Sequence, residues 1–157
     1  MERPSASRPS RLVFVCTANI CRSPMAEGLA RAYATDRGWA TEVRSAGVLG
    51  LIGRAADPTA VRVMQEVSID ISKHQSGAVT PELVLWADHI LVMELAHQMV
   101  LHKDHPGSEG KVLQLASFGG LSEIKDPYGG WRWRFRTCRD DLRRCVERFM
   151  DRLPAQV

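Results

Sequence analysis

Leu12-Val13-Phe14-Val15 is the first uninterrupted apolar run of the chain, and its β-branched and aromatic content predicts a buried strand ending at Cys16. A short polar stretch follows. Met25, Leu29, Ala32 and Tyr33 then recur at core-facing helical spacing, predicting a helix over residues 26–37 that Gly38 ends. Ser23 followed by Pro24 reads as its N-cap and first helical position. Thr41 to Gly47 reads as a short second strand running into a turn, and residues 48–56, with Gly50 and Gly53, as a loop. Asp57-Pro58 opens a helix bearing Val61, Val63, Met64 and Val67, and residues 69–74 form an irregular link. Thr80-Pro81-Glu82 caps a helix ending near Ala87. His89 to Met93 is the expected third strand, Glu94 to His102 a helix stopped by His105-Pro106-Gly107, and Lys111 to Leu115 the fourth strand. A long loop leads to a closing helix over residues 131–153, where Phe135, Cys138, Leu142, Cys145, Val146, Phe149 and Leu153 keep helical spacing.

Strands alternating with helices predict an α/β fold, a single-domain open four-stranded parallel sheet with helices on both faces. Residues 1–10 are polar and proline-bearing and predict a disordered lead, leaving 11–157 as the domain. A chain of 157 residues that is 45% hydrophobic can bury one full core. The formal charge of +3 is mild and does not imply a nucleic-acid partner. No apolar run approaches membrane-spanning length, and the N-terminus lacks the apolar core of a secretory signal. A cytoplasmic protein without a membrane partner, monomeric or weakly dimeric, is expected. Cys16, Cys21, Cys138 and Cys145 do not form a secreted disulfide framework in a chain this long. Neither cysteine pair has CxxC spacing and no histidine cluster accompanies them, so no metal or cofactor is expected.

Chemistry concentrates where the first strand meets the first helix. Cys16 stands at the strand's carboxyl end, the side on which open α/β sheets bind ligands. Backbone N–H groups of the loop and the helix dipole favour an anion there, and thiolate over thiol. Arg22, six residues on, adds a planar fork suited to bidentate phosphate contact. A phosphate-binding loop after the first strand is the resulting expectation. Thiolate attack on a phosphoester also needs a group to protonate the leaving oxygen, worth about 10²–10⁴ in rate. Asp126 follows the fourth strand, so a parallel sheet brings it to the same end; as a residue before Pro127 it also suits a turn.

Cys16 to Glu27, together with Asp126-Pro127-Tyr128-Gly129-Gly130, closely resembles the low-molecular-weight protein tyrosine phosphatases. Ser45-Ala46-Gly47, Gly53-Arg54, Asp57-Pro58, Thr80-Pro81-Glu82-Leu83 and Ala87-Asp88 extend the resemblance. It implies a phosphatase acting on phosphotyrosine proteins, with Cys16 as nucleophile, Arg22 as phosphate clamp and Asp126 as general acid and then base. It implies substrate contacts from Thr17, Ala18, Asn19, Ile20, Cys21, Ser23, Leu51 and Tyr128. It also implies loop support from Asn19, Ser23, Ser45 and His74, and a reversible Cys16–Cys21 disulfide on oxidation. Three features depart from the family pattern. Leu51 and Ile52 form a flat apolar wall where some members have an aromatic residue, and Gly77 stands where an arginine is common. The segment Trp131-Arg132-Trp133-Arg134-Phe135-Arg136 is unusually basic and aromatic.

Three other functions fit parts of the chain. A thioredoxin-coupled arsenate reductase shares fold and loop but needs two relay cysteines, and residues 72–84 contain none. Cys138 and Cys145 are better explained by core packing. Phosphoarginine phosphatases carry threonine where this chain has Ile20. A nucleic-acid-binding module could use the eight arginines and the tryptophans of residues 131–152, although a solvated helix face explains them more simply.

Overall fold

The computed structural model describes residues 8–154. Four strands, β1 (Arg11–Cys16), β2 (Glu42–Gly47), β3 (His89–Val92) and β4 (Val112–Gln114), form one sheet in the order β2-β1-β3-β4, and every pairing is parallel. Five α-helices connect and close it: α1 (Arg22–Asp36), α2 (Pro58–Gln65), α3 (Pro81–Trp86), α4 (Leu95–Asp104) and α5 (Arg132–Met150). β1 lies in the middle of the sheet, so both its faces need apolar cover. Leu12 and Phe14 enter a core with Met25, Leu29, Met64, Phe135 and Leu142, from α1, α2 and α5. Val13 and Val15 point the other way, into a core with Val84, Ile90, Val92 and Leu101, from α3, β3 and α4. The period of two along β1 thus serves two cores, which is why its sequence is apolar without a break. Because α1 and α4 leave opposite faces of the sheet, the carboxyl ends of β1 and β3 open onto a crevice, the place where doubly wound sheets bind ligands.

Local signals set several boundaries. Asp57 caps α2 through Thr59 N–H, and Thr80 caps α3 through Leu83 N–H; in both helices a proline stands at the first position. Gly38, at φ +68°, ends α1 as expected. Four expectations need correction. α1 starts at Arg22 with Cys21 as N-cap, so Ser23 lies inside the first turn, its hydroxyl drawn to neighbours other than the helix backbone. Ala30 and Ala34 pack fully on that helix, whereas Ala32 and Tyr33 are half-buried. β4 keeps three residues, because Leu115 begins a 3₁₀ turn that packs on α5. The expected disordered lead mostly lies outside the described residues, but its end is ordered. Arg8 makes two charged bonds to Asp88 at 2.7 and 2.8 Å, and the Ser10 carbonyl accepts Glu42 N–H.

Half of the arginines of α5 and its flanks are paired with acidic groups: Arg136 and Arg139 with Glu66, Arg143 with Glu147 and Arg144 with Asp141. The hydrogen bonds from Arg136 and Arg139 hold the Glu66 carboxyl down to about 2. Trp131 and Trp133 are exposed. Among the described residues no helix is long and apolar enough to cross a membrane, and no cluster of three His, Cys, Asp or Glu is placed to hold a metal.

Candidate active site

The segment from Cys16 to Arg22 curls at the crevice so that Asn19 N–H points back to Cys16 Sγ at 3.3 Å. Such a reversal needs one residue in the left-handed region, and Asn19 takes it at φ +61°. Asparagine tolerates that region better than most residues. Its side chain is fully buried and completely used. Nδ2 donates to Ser23 Oγ at 2.7 Å and to Ser45 Oγ at 3.0 Å, while Oδ1 accepts Gly77 N–H at 3.0 Å. His74 Nε2 lies 2.7 Å from the Asn19 carbonyl, and its Nδ1 lies 3.9 Å from Glu27. Ser23 Oγ stands 2.9 Å from Cys16 Sγ. One asparagine therefore ties the loop to α1, β2 and the segment after α2. Asn19 and Ser23, expected among the groups that touch substrate, do not line the cavity; both are fully buried behind the loop.

Gly47, at the end of β2, lies against the back of the loop. A Cβ there would stand 2.8 Å from Thr17 O, 2.8 Å from Ala18 C and 2.9 Å from Asn19 N, all backbone atoms that cannot swing away. Gly47→Ala is expected to cost about 1–3 kcal/mol of stability, as overpacking does, and to weaken inorganic phosphate binding. Urea unfolding and a phosphate titration check this. Wild-type values in both would contradict the close approach.

Arg22 opens α1 and is only 2% exposed. A buried guanidinium must be paired, since stripping its partner costs about 3–5 kcal/mol. Nη1 donates to the Ile124 carbonyl and to Glu94, both at 2.9 Å. Nη2 donates to Thr17 Oγ1 at 3.3 Å and stands 3.7 Å from Asp126 Oδ2. With Nη1 taken up by protein, the edge formed by Nε and Nη2 is left for a bidentate oxyanion. Glu94 and its neighbour His97, 2% exposed, are the site residues that the periodicity did not mark. Their signal was position: Glu94 follows β3 by two residues, at the same sheet end as Cys16.

Asp126 is half exposed and uses its two oxygens differently. Oδ1 accepts Tyr128 N–H at 3.0 Å and shapes the turn, while Oδ2 is the oxygen nearer to Arg22. The turn-forming and acid roles are thus compatible in one carboxyl group.

A cavity of about 300 Å³ opens at this end of the sheet, lined by Cys16, Thr17, Ala18, Ile20, Cys21, Arg22, Leu49, Leu51, Arg54, Asp126 and Tyr128. Leu49 lines the cavity and Ile52 does not; Ile52 points to solvent at 72% exposure, so the apolar wall is Leu49 and Leu51. Burial, with Asp57 and Asp126 nearby, pushes the Cys21 thiol far up from its usual range.

A four-stranded parallel sheet whose first strand delivers a cysteine into an arginine-backed anion loop defines a class of small α/β phosphate-handling proteins. Within it, the family model of low molecular weight phosphotyrosine protein phosphatases matches residues 11–157. The chain belongs to that family and is an enzyme of that type. It is 38% identical to the probable low molecular weight protein-tyrosine-phosphatase EpsP of Ralstonia nicotianae, across 92% of this chain and 96% of that protein. It is 34% identical to the protein-arginine-phosphatase of Geobacillus stearothermophilus, across 94% of this chain and 99% of that one. Among solved structures, the low molecular weight protein tyrosine phosphatase from T. tengcongensis superposes with a TM-score of 0.88 at 34% identity, across 92% of this chain and 99% of that chain.

Proposed function

We propose that this enzyme hydrolyses phosphotyrosine in proteins through a phosphocysteine on Cys16. The observation that carries the reading is the shared lining of one cavity by Cys16, Arg22 and Asp126 beneath a wall of Ile20, Leu49, Leu51 and Tyr128. Arg22 and the loop amides hold the phosphoryl oxygens. Cys16 Sγ attacks phosphorus, forming S–P as the P–O bond to the leaving group breaks, and Asp126 gives that oxygen its proton. The resulting carboxylate then takes a proton from water as water attacks phosphorus, and the S–P bond breaks to return the thiolate and inorganic phosphate.

Relatives named for tyrosine and for arginine phosphatase activity are both similar to this chain, so the cavity wall has to decide. Ile20 contributes an apolar β-branched side chain to it, and the cation of Arg54 on the same lining disfavours a guanidinium leaving group. An aromatic ring suits that wall. Turnover of phosphotyrosine, phosphoserine and phosphoarginine peptides by the purified protein is expected to favour phosphotyrosine clearly, with no reduction of arsenate. A preference for phosphoarginine would overturn the substrate reading.

An arsenate-reductase relay is disfavoured because both remaining cysteines are buried in α5, and burial raises Cys138 to about 12. The paired arginines of α5 support a solvated face rather than a nucleic-acid surface. Oxidation by peroxide gives a Cys16 sulfenic acid, which condenses with the Cys21 thiol to a disulfide and water. Burial holds the Cys21 thiol up, which leaves less of it as the attacking thiolate. Cys21→Ser protein, compared with its own untreated rate, is expected to recover less activity than wild type when thiol is added after peroxide. Equal recovery would leave Cys21 a packing residue.

A further inference from the structure

Protons at the crevice run in a direction that one backbone amide decides. Glu94 N–H donates to His97 Nδ1 at 3.2 Å, so Nδ1 carries no proton and the neutral ring is protonated on Nε2. Burial and the nearby Arg22 charge favour that neutral ring against the opposing pull of Glu94 and Asp126. Nε2 lies 2.9 Å from Thr17 Oγ1, and 3.4 Å from Glu94 Oε2. In the contact with Thr17, histidine is therefore the donor and threonine the acceptor. The same oxygen accepts Arg22 Nη2 at 3.3 Å.

We propose that His97 and Thr17 are positioning residues for phosphoryl transfer: the Nε2 proton fixes Thr17 Oγ1 as an acceptor, and that oxygen holds the Nη2 arm of Arg22 toward the loop. The inference rests on the phosphatase reading above and adds to it two side chains that act through Arg22. Nη2 is the arm that needs holding, because Nη1 is already anchored by Ile124 and Glu94. The competing acceptor is Asp126 Oδ2, 3.7 Å from Nη2. If Nη2 turned to that carboxylate, the guanidinium would leave the plane a phosphoryl group requires, and the acid would be tied down as well. A hydroxyl oxygen holds the arm without adding a negative charge beside a dianionic ligand.

Thr17→Val removes the oxygen at nearly constant volume, and Thr17→Ser restores it. With 4-nitrophenyl phosphate as substrate, Thr17→Val is expected to lose roughly tenfold in kcat/KM, the scale of a hydrogen bond to a charged group. Inhibition by inorganic phosphate should weaken in parallel, and Thr17→Ser should recover most of both. His97→Gln should lower kcat/KM in the wild-type background and have little further effect once Thr17 is valine. Full additivity would overturn the relay and leave His97 a packing residue. Nitrogen-resolved NMR of the wild-type imidazole gives an answer independent of any variant's folding. The expected result is a proton on Nε2; a proton on Nδ1 would overturn the proposal. An enzyme inactive toward every phosphoester would instead overturn the phosphatase reading while leaving the tautomer result in place.

Discussion

Cys16→Ser protein is expected to lose turnover of every phosphoester by roughly 10⁴-fold or more, the scale at which removal of a covalent nucleophile acts. The loss should appear in kcat and not in affinity. Arg22 is held by Ile124, Glu94 and Thr17, and the Asn19 side chain holds the loop through Ser23, Ser45 and Gly77, by bonds that do not end on the sulfur. Inorganic phosphate should therefore bind the variant nearly as well as it binds wild type. Titration of both proteins with phosphate, beside steady-state rates, separates the two effects. A variant that turned over at an ordinary rate would remove Cys16 from the chemistry. A variant that lost phosphate binding as well would mean that the sulfur had been holding the loop.

Asp126→Asn is expected to slow phosphoryl transfer by about 10²–10⁴ for substrates whose leaving oxygen is basic. The turn should survive, since asparagine Oδ1 can accept Tyr128 N–H as the carboxylate does. The defect should shrink with 4-nitrophenyl phosphate, whose leaving group departs readily without a proton. It should persist in the second step, where the carboxylate takes a proton from water. A series of aryl phosphates of graded leaving-group basicity measures this as a slope. A small loss independent of leaving group would return Asp126 to its turn and direct attention to Glu123 as another acid in the same loop.

Elements whose cause is local were legible in the sequence, and those whose cause is tertiary were not. β1 reads correctly because burial on both faces leaves no polar position in Leu12 to Val15. The starts of α2 and α3 read correctly because Asp57 and Thr80 cap by bonds two or three residues away. Ser23 looked like a cap by the same rule, yet Cys16 and Asn19 claim its hydroxyl, and the helix begins two residues earlier, at Arg22, with no side-chain cap. Arg8 to Ser10 looked like free tail because Asp88 and Glu42, which hold them, are far away in sequence. Glu94 and His97 escaped notice for a similar reason. Nothing in Met93-Glu94-Leu95 signals chemistry until the sheet order places the end of β3 beside the end of β1. The apolar wall was anticipated in kind, but which leucines face the cavity depends on turns at Gly50 and Gly53, both at positive φ.

The central claim is that phosphate passes through a covalent bond to Cys16. Rapid acid quench of Asp126→Asn protein mixed with 4-nitrophenyl phosphate, followed by peptide mass spectrometry, tests it directly, because this variant should form the intermediate faster than it hydrolyses it. The expected result is one phosphoryl group on the peptide containing Cys16, absent when Cys16 is replaced and lost when the quench is delayed until the substrate is exhausted and water has hydrolysed the intermediate. Turnover without any phosphorylated Cys16 peptide would contradict the account.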